Sequence, residues 1–523
     1  MALKEKMLRR TAQIAQTVIQ HSQDITLEDE EMVQGCQVFC FPMLYQNNDY
    51  LELAYTIYDT FIEKLNPKIQ LTEKMIREVI ARHIAEYSLP KANLKNEIIE
   101  LIVDNLLYYG PISAIIRNAG HDLNDIIINT KDYIDVIYGG QTIITPFRFR
   151  SEMELRRIIN RMLSESNRKI DESHPIASAK LADGSRIEVQ IPPVAANVDR
   201  EGKPGSYVTI RKFREIPLLF ESMLDGAQMD LKIAYFLLKA VQGKLNIVVS
   251  GGTSSGKTTF LNAITRFIDE GDQLLTIEDT KEMKPQMPCH SIRSFEARME
   301  NEEGVGAITI EQLLRTALRS SPRRIIVGEC RGPEIVTMLN AMNTGHPGSM
   351  TTVHADDTKE AIIRIENMFL EARPSANMTF VRSQIISAVD LVIQLVRFPD
   401  GRRRVVKISE PEKRMEENGI VSMLDIFEFK RNSFNGNPTD SNGTFNAVSA
   451  PVRSINKMAQ NGVEIEKKIF DPDFIVTKDM LIGELKSFHP SRMCGWEDHY
   501  LSEIIKNSYQ EGKSILERWP NLK

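Results

Sequence analysis

The sequence predicts an α/β protein: a phosphate-loop (P-loop) unit on a parallel sheet, a smaller α+β unit before it, and helical segments on both flanks. Three observations carry this reading. Between residues 230 and 410, short apolar runs rich in β-branched residues alternate with helical runs, as in a buried parallel sheet with crossover helices. Inside that stretch, GGTSSGKTT joins a strand to a helix with full phosphate-loop spacing. Upstream, residues 91–215 mix amphipathic helices with strands that read as hairpins.

Composition bounds the rest. The chain has 523 residues, enough for three to four domains at roughly 150 residues each. Apolar residues make up 42% and there are 28 Gly, which excludes disorder along the whole chain. Lys plus Arg number 65 against 71 Asp plus Glu, so the net charge of −6 lacks the basic excess of a dedicated nucleic-acid binder. Hence no direct nucleic-acid partner is expected. No apolar run is long enough to span a bilayer, and the basic start MALKEKMLRR is followed by a stretch too polar for a signal peptide. Cys36, Cys40, Cys289, Cys330 and Cys494 are scattered, with no CxxC pair. Reduced thiols in the cytoplasm are therefore expected.

In order along the chain, residues 1–90 read as a variable helical segment; its Arg9–Arg10 helix is most simply a solvated one, with peripheral membrane contact as the alternative. Residues 91–218 form the α+β domain. NEIIELIVDNLLYYG is a helix stopping at Gly110–Pro111, and YIDVIYGGQTIITP a hairpin turning at Gly139–Gly140. SEMELRRIINRMLSES is a helix, followed by strands SRIEVQIPP and SYVTIRKF. Residues 219–235 read as a linker and 236–410 as the P-loop domain, closed by a hairpin turning at Asp400–Gly401. Residues 411–523 are a C-terminal extension with a charged start and two or three helices.

The chemistry concentrates in four places. Gly251, Gly252, Thr253, Ser254, Ser255, Gly256, Lys257, Thr258 and Thr259 form the phosphate loop. Glycines let backbone N–H groups curl round an anion, the helix N-terminus adds its positive end, Lys257 neutralises β/γ-phosphates, and the Thr258 hydroxyl can ligate Mg²⁺. RRIIVGE ends an apolar strand at Glu329, where water and metal would have to lie, so Glu329 can serve both, touching Mg²⁺ through a bound water; the alternative is a strand-end carboxylate in an ion pair with Arg323 or Arg331. Glu278, Asp279 and Glu282 follow another buried strand and could hold such a water or accept its proton. His346 and His354 sit in TGHPGSMTTVHADD, either able to donate to a γ-phosphate or to link the site to a neighbouring subunit; His354, ending a strand, is the stronger candidate. Upstream, Arg186 and Arg211 are surface ion-pair residues unless a domain interface brings them to phosphate.

Together, GGTSSGKTTFLNA, TIEDTKEM, LRSSPRRIIVGECRGPE and AMNTGHPGSMTTVHAD resemble, in order, the phosphate loop, Asp box, glutamate Walker B and His box of the secretion (traffic) ATPase superfamily of type II secretion, type IV pili and type IV secretion. The upstream GPI, DGSR, IPP and IRKF elements resemble its tight-adherence (Flp) pilus branch. The resemblance covers residues 95–410. It implies a RecA-like ATPase domain in a ring homo-hexamer, ATP and Mg²⁺ as cofactors, and nucleotide lying between the two domains with Arg186 and Arg211 reaching it. It also implies a motor that drives pilus assembly or secretion through a polytopic inner-membrane platform protein. Ser178–Ala179–Lys180 stand where the family often has an Asp, and the tetracysteine zinc insert of related assembly ATPases is missing, which argues against the type II secretion and type IVa extension branches. A P-loop DNA translocase or helicase, and a nucleotide-gated scaffold without turnover, are the alternatives. The absence of an aromatic–basic stripe opposes the first, and intact Lys257, Glu278 and Glu329 oppose the second.

Overall fold

A computed structural model of the chain describes residues 41–487, except 66–71, 120–122, 139–140, 214–216, 270, 288–291, 299, 301–304, 416–418 and 433–440. The Arg9–Arg10 helix, the Gly139–Gly140 turn and four of the cysteines lie outside the described residues. Cys330 lies within them, buried and unbridged.

The chain divides into two compact units, Met1–Glu215 and Ile216–Lys523. The first carries a six-stranded antiparallel sheet in the order β3-β2-β1-β6-β5-β4. Its strands are β1 Leu123–Thr130, β2 Tyr133–Tyr138, β3 Gln141–Ile144, β4 Ile176–Lys180, β5 Arg186–Gln190 and β6 Tyr207–Arg211. Alternation buries Ile126, Ile128, Ile187, Val189, Val208 and Ile210 in one core with Ile158, Ile159 and Met162 of helix Glu152–Ser164. The Ser151 hydroxyl caps that helix by accepting from Glu154 N–H. Helix Leu94–Leu107 ends where Asp104 O accepts from both Tyr108 and Gly110 N–H, with Gly110 left-handed at φ +57, and Pro111 opens the next helix.

The sequence sets residues 1–90 apart from this unit; the structure joins the helices of residues 48–64 and 73–84 to it. Helices Asn48–Lys64 and Glu73–Ile84 send Leu51, Leu53, Ile57, Phe61, Ile76 and Ile80 into the same core. Their apolar stripes need a partner, and the α+β core supplies it.

The second unit holds a nine-stranded sheet, β15-β14-β13-β12-β7-β11-β10-β8-β9. Strands β7 Ile247–Gly251, β8 Leu274–Glu278, β9 Ile292–Glu296, β10 Arg324–Val327, β11 Met350–Val353 and β12 Leu391–Arg397 run parallel. β13 Arg403–Met415, β14 Val421–Arg431 and β15 Gly443–Ala447 continue the sheet as an antiparallel ladder. The β12–β13 hairpin turns at Asp400–Gly401, as expected from sequence, with Gly401 at φ +85. The polar β9, reading IRSFE, escaped the sequence reading because it is an edge strand whose residues are half-buried or exposed.

Two boundaries differ from the sequence reading. The expected linker 219–235 is folded in: Phe220 is fully buried with its ring 4.6 Å from that of Phe267, and helix Leu231–Gln242 lies in the core. The boundary at 410 falls inside β13, whose charged end reads as loop but pairs with β14 at Glu410, Pro411 and, after a register shift, Met415. Helix Val452–Gln460 then returns to the parallel part. Buried Asp390 takes ion pairs from its Arg453 (3.3 Å) and Lys457, and Met458 packs so closely on Gly243 that a Cβ there would meet Met458 Cγ at 2.4 Å. Among the described residues, no single helix is long and apolar enough to cross a membrane.

Candidate nucleotide site

Because β7, β11, β10 and β8 are parallel neighbours in that order, their carboxyl ends share one sheet edge. That edge carries Gly251, His354, Glu329 and Glu278, one from each strand or the residues just after it. This is where open α/β sheets bind ligands.

At Gly251 a Cβ would lie 2.5 Å from both Leu395 O and Ser255 Oγ, so only glycine fits. The loop then passes through left-handed Ser254 (φ +59) and Gly256 (φ +90) into helix Lys257–Ile264, begun by Phe260 N–H donating to Gly256 O at 2.8 Å. Thr253 and Ser254 are exposed; Gly252, Thr258 and Thr259 are half-buried. The Ser255 hydroxyl is buried without a hydrogen-bond partner. A buried loop with an unfilled polar atom and a helix N-terminus suits an anion.

The buried Lys257 ammonium donates to Gly251 O (2.8 Å) and Gly252 O (3.0 Å) and lies 3.3 Å from the His354 ring nitrogens. Burial, opposed by Glu329 and aided by Arg331, pushes it down to about 8. His354 Nε2 is 3.3 Å from Glu329 Oε1. Burial, then the Lys257 charge, lowers the imidazole below its ordinary value. Glu329 Oε2 accepts from Arg331 Nη2 at 2.7 Å. Burial alone would raise this carboxyl, but Arg331, with His354 and Lys257, holds it below the ordinary range. Arg331 also reaches Asp279 Oδ2 at 4.0 Å. The structure therefore brings Lys257, His354 and Glu329 together, with Asp279 linked through Arg331.

Glu278 is at the same edge but in a different role. β8 stands three strands from β7, about 14 Å at ordinary strand spacing. Its carboxylate is buried and accepts from the N–H groups of Glu282 (3.0 Å) and Met283 (3.0 Å). Burial pushes it up to about 7, against those two N–H groups. It packs under Gly328, where a Cβ would meet Glu278 Cγ at 2.9 Å. Glu282 is half-buried and contributes a backbone N–H here.

His346 is not brought to this edge. It precedes β11 at the amino ends of the strands, where its Nδ1 faces Pro322 O at 2.9 Å. Arg186 and Arg211 belong to the other unit, directly opposite each other on β5 and β6, and Arg211 Nε is 3.3 Å from Asp125 Oδ1.

Sequence reasoning weighed Arg331 only as an ion-pair partner of Glu329, and passed over two other contributors. Arg403 of β13 donates from Nε to Ser254 O at 3.1 Å. Buried Gln394 of β12 donates from Nε2 to Ala355 O (3.1 Å), which also accepts from Ser250 Oγ (3.3 Å), fixing the Ala355–Asp356 peptide next to His354. A lone Gln inside the apolar run LVIQLV was the available signal for the second; the first depends on a hairpin folding back.

The family described as "Type II/IV secretion system protein" matches residues 110–431. A Mycobacterium tuberculosis protein named for a candidate role in conjugal transfer is 31% identical over 291 residues, 54% of this chain and 80% of its own length. Conjugal transfer protein TrbB of Rhizobium radiobacter is 33% identical over 237 residues, covering 45% of this chain and 67% of its own. Type IV secretion system protein VirB11 of Bartonella quintana is 28% identical over 346 residues, covering 60% and 94%. Among solved structures, the VirB11 ATPase of Brucella suis is 24% identical with TM-score 0.31, covering 57% of this chain and 95% of its own. The chain belongs to the type II/IV secretion system protein family, whose activity is ATP hydrolysis.

Proposed function

We propose that this protein is a cytosolic, ring-hexameric ATPase motor that drives secretion or pilus assembly across a bacterial envelope through a polytopic inner-membrane platform protein. The observation that carries this is the meeting of Lys257, His354 and Glu329 at the phosphate loop. The relatives named for conjugal transfer and type IV secretion favour a secretion system over pilus assembly. The tight-adherence branch is not singled out by them.

The loop N–H groups and Lys257 bind the phosphates, the ammonium exchanging Gly251 O and Gly252 O for phosphate oxygens. At neutral pH Lys257 keeps its proton and Glu329 is ionised. His354, depressed below its ordinary value, is neutral and can donate one hydrogen bond to the γ-phosphate. Glu329 accepts the proton of the water that attacks in line, and Arg331 holds its carboxylate toward the site. Glu278 shapes the 278–283 turn behind it. Arg186 and Arg211 supply charge from the first unit as the phosphoryl group transfers.

Among the described residues no three His, Cys, Asp or Glu side chains converge on a metal site. The hydroxyl of Thr258, half-buried in the first turn of the helix, would hold Mg²⁺ together with the nucleotide, which is how this ion is ordinarily bound. Mg²⁺ there supplies charge neutralisation on the phosphates.

The test is ATP turnover and light scattering of the purified full chain. Mg²⁺-dependent hydrolysis and a six-fold mass with a non-hydrolysable ATP analogue are expected. Absence of turnover with retained ATP binding supports a scaffold, and DNA-stimulated turnover a translocase.

A further inference from the structure

The phosphate loop is gripped from outside by the antiparallel ladder. Arg403 is the first residue of β13, opposite Arg397 of β12, and β12 is the direct neighbour of the strand that delivers the loop. Its Nε donates to Ser254 O at 3.1 Å. Its Cδ lies where a Cβ on Gly256 would meet it at 2.9 Å, so the arginine stem rests on the loop's second left-handed residue. The adjoining Arg404 is buried and donates from Nε to Ser441 O at 2.9 Å and from Nη1 to Ala227 O, which anchors the start of β13.

The geometry has a consequence for phosphate binding. A trans peptide is planar, with its C=O and N–H pointing to opposite sides. Holding the Ser254 carbonyl outward on Arg403 therefore turns the Ser255 N–H inward. That N–H makes only a long bond of 3.4 Å, to Gly252 O, and is ready to exchange it for an anion. Ser254 sits at φ +59, a conformation that a residue with a Cβ adopts at a cost, so an external hold is needed to keep it.

We propose that Arg403 is a positioning residue that preorganises the phosphate loop for the β-phosphate, making the β13–β15 ladder part of the nucleotide-binding apparatus. This rests on the nucleotide-binding reading above. Its effect is on binding of any nucleotide with a β-phosphate rather than on the chemical step. A hydrogen bond from a charged donor is commonly worth about tenfold or more in an equilibrium.

The experiment compares full-length wild type with Arg403→Met, Arg403→Ala and Arg403→Lys. Methionine keeps a stem over Gly256 and removes the donor; lysine keeps a donor on a flexible stem. ADP affinity, KM for ATP and kcat are measured, with thermal melts. The expected result is that ADP affinity falls and KM rises together by about five- to fiftyfold in Met and Ala, while kcat stays within about twofold. Lys should recover part of the affinity. A variant with a normal melt and ADP affinity within twofold of wild type overturns the proposal, as does a fall in kcat with unchanged affinity. If Arg403→Ala does not fold, the Met and Lys variants decide. A wild type that binds no ADP instead refutes the nucleotide reading itself.

Discussion

Arg186 and Arg211 face each other directly across the β5–β6 ladder, two like charges in register on one antiparallel pair. Arg211 Nε lies 3.3 Å from Asp125 Oδ1 on β1, and its side chain is half exposed. Like charges in that arrangement cost about 0.2–1 kcal/mol. Replacing either arginine with alanine should leave the melting temperature unchanged or slightly raised. If the pair meets the γ-phosphate, turnover should fall by about a hundredfold or more while ADP affinity changes little. Turnover and ADP titration on both variants check this; near-normal turnover in both returns them to surface residues.

Lys257→Met should abolish turnover and weaken nucleotide binding without lowering stability at pH 7. The sign follows from the depressed ammonium. Its folded value is about 8 against an ordinary 10.5, so the protonated form destabilises the fold at neutral pH. The contribution to stability is present above pH 10.5 and lost as pH falls through 8. Melts at several pH values should show wild type gaining on the variant between pH 8 and 10. A variant that melts well below wild type at pH 7 contradicts this.

Glu329→Gln should retain nucleotide and lose turnover by about two to four orders of magnitude, the ordinary size of a lost general base. Glu278→Gln should reduce turnover far less, since its carboxylate is engaged with the 282 and 283 amides. Single-turnover assays on both variants separate the roles. The reverse ranking would assign the base to Glu278.

Glu278 also makes a pH prediction. Its folded value of about 7 exceeds the ordinary 4.5, so its stabilising contribution is present below pH 4.5 and lost as pH rises through 7. Glu278→Gln should therefore melt a few degrees higher than wild type at pH 8, with the difference vanishing towards pH 4.5. Equal melts across that range would show that the carboxyl is not held protonated.

The two histidines should behave oppositely. His354→Ala removes the contact with both Lys257 and Glu329 and should cut turnover by at least about tenfold. His346→Ala, at the other end of β11, should leave turnover within about twofold. Parallel steady-state assays suffice.

The sequence by itself determined the phosphate loop, because Gly251, Gly256 and Lys257 work through backbone geometry and a local strand–helix junction. It also determined the apolar strands β7, β8, β10 and β11, whose burial on both faces leaves a continuous apolar signal. What only the tertiary structure decided was strand order. Placing β11 beside β7 and β8 three strands away brings His354 to Lys257 and leaves Glu278 apart, and sequence spacing carries no record of that order. The same holds for Arg403, 149 residues from the carbonyl it binds, and for the charged end of β13, where Glu410 and Pro411 pair with Leu424 and Met423 of β14. Local propensity is written along the chain; pairing partners and sheet edges depend on long-range contacts between segments that have no local signature.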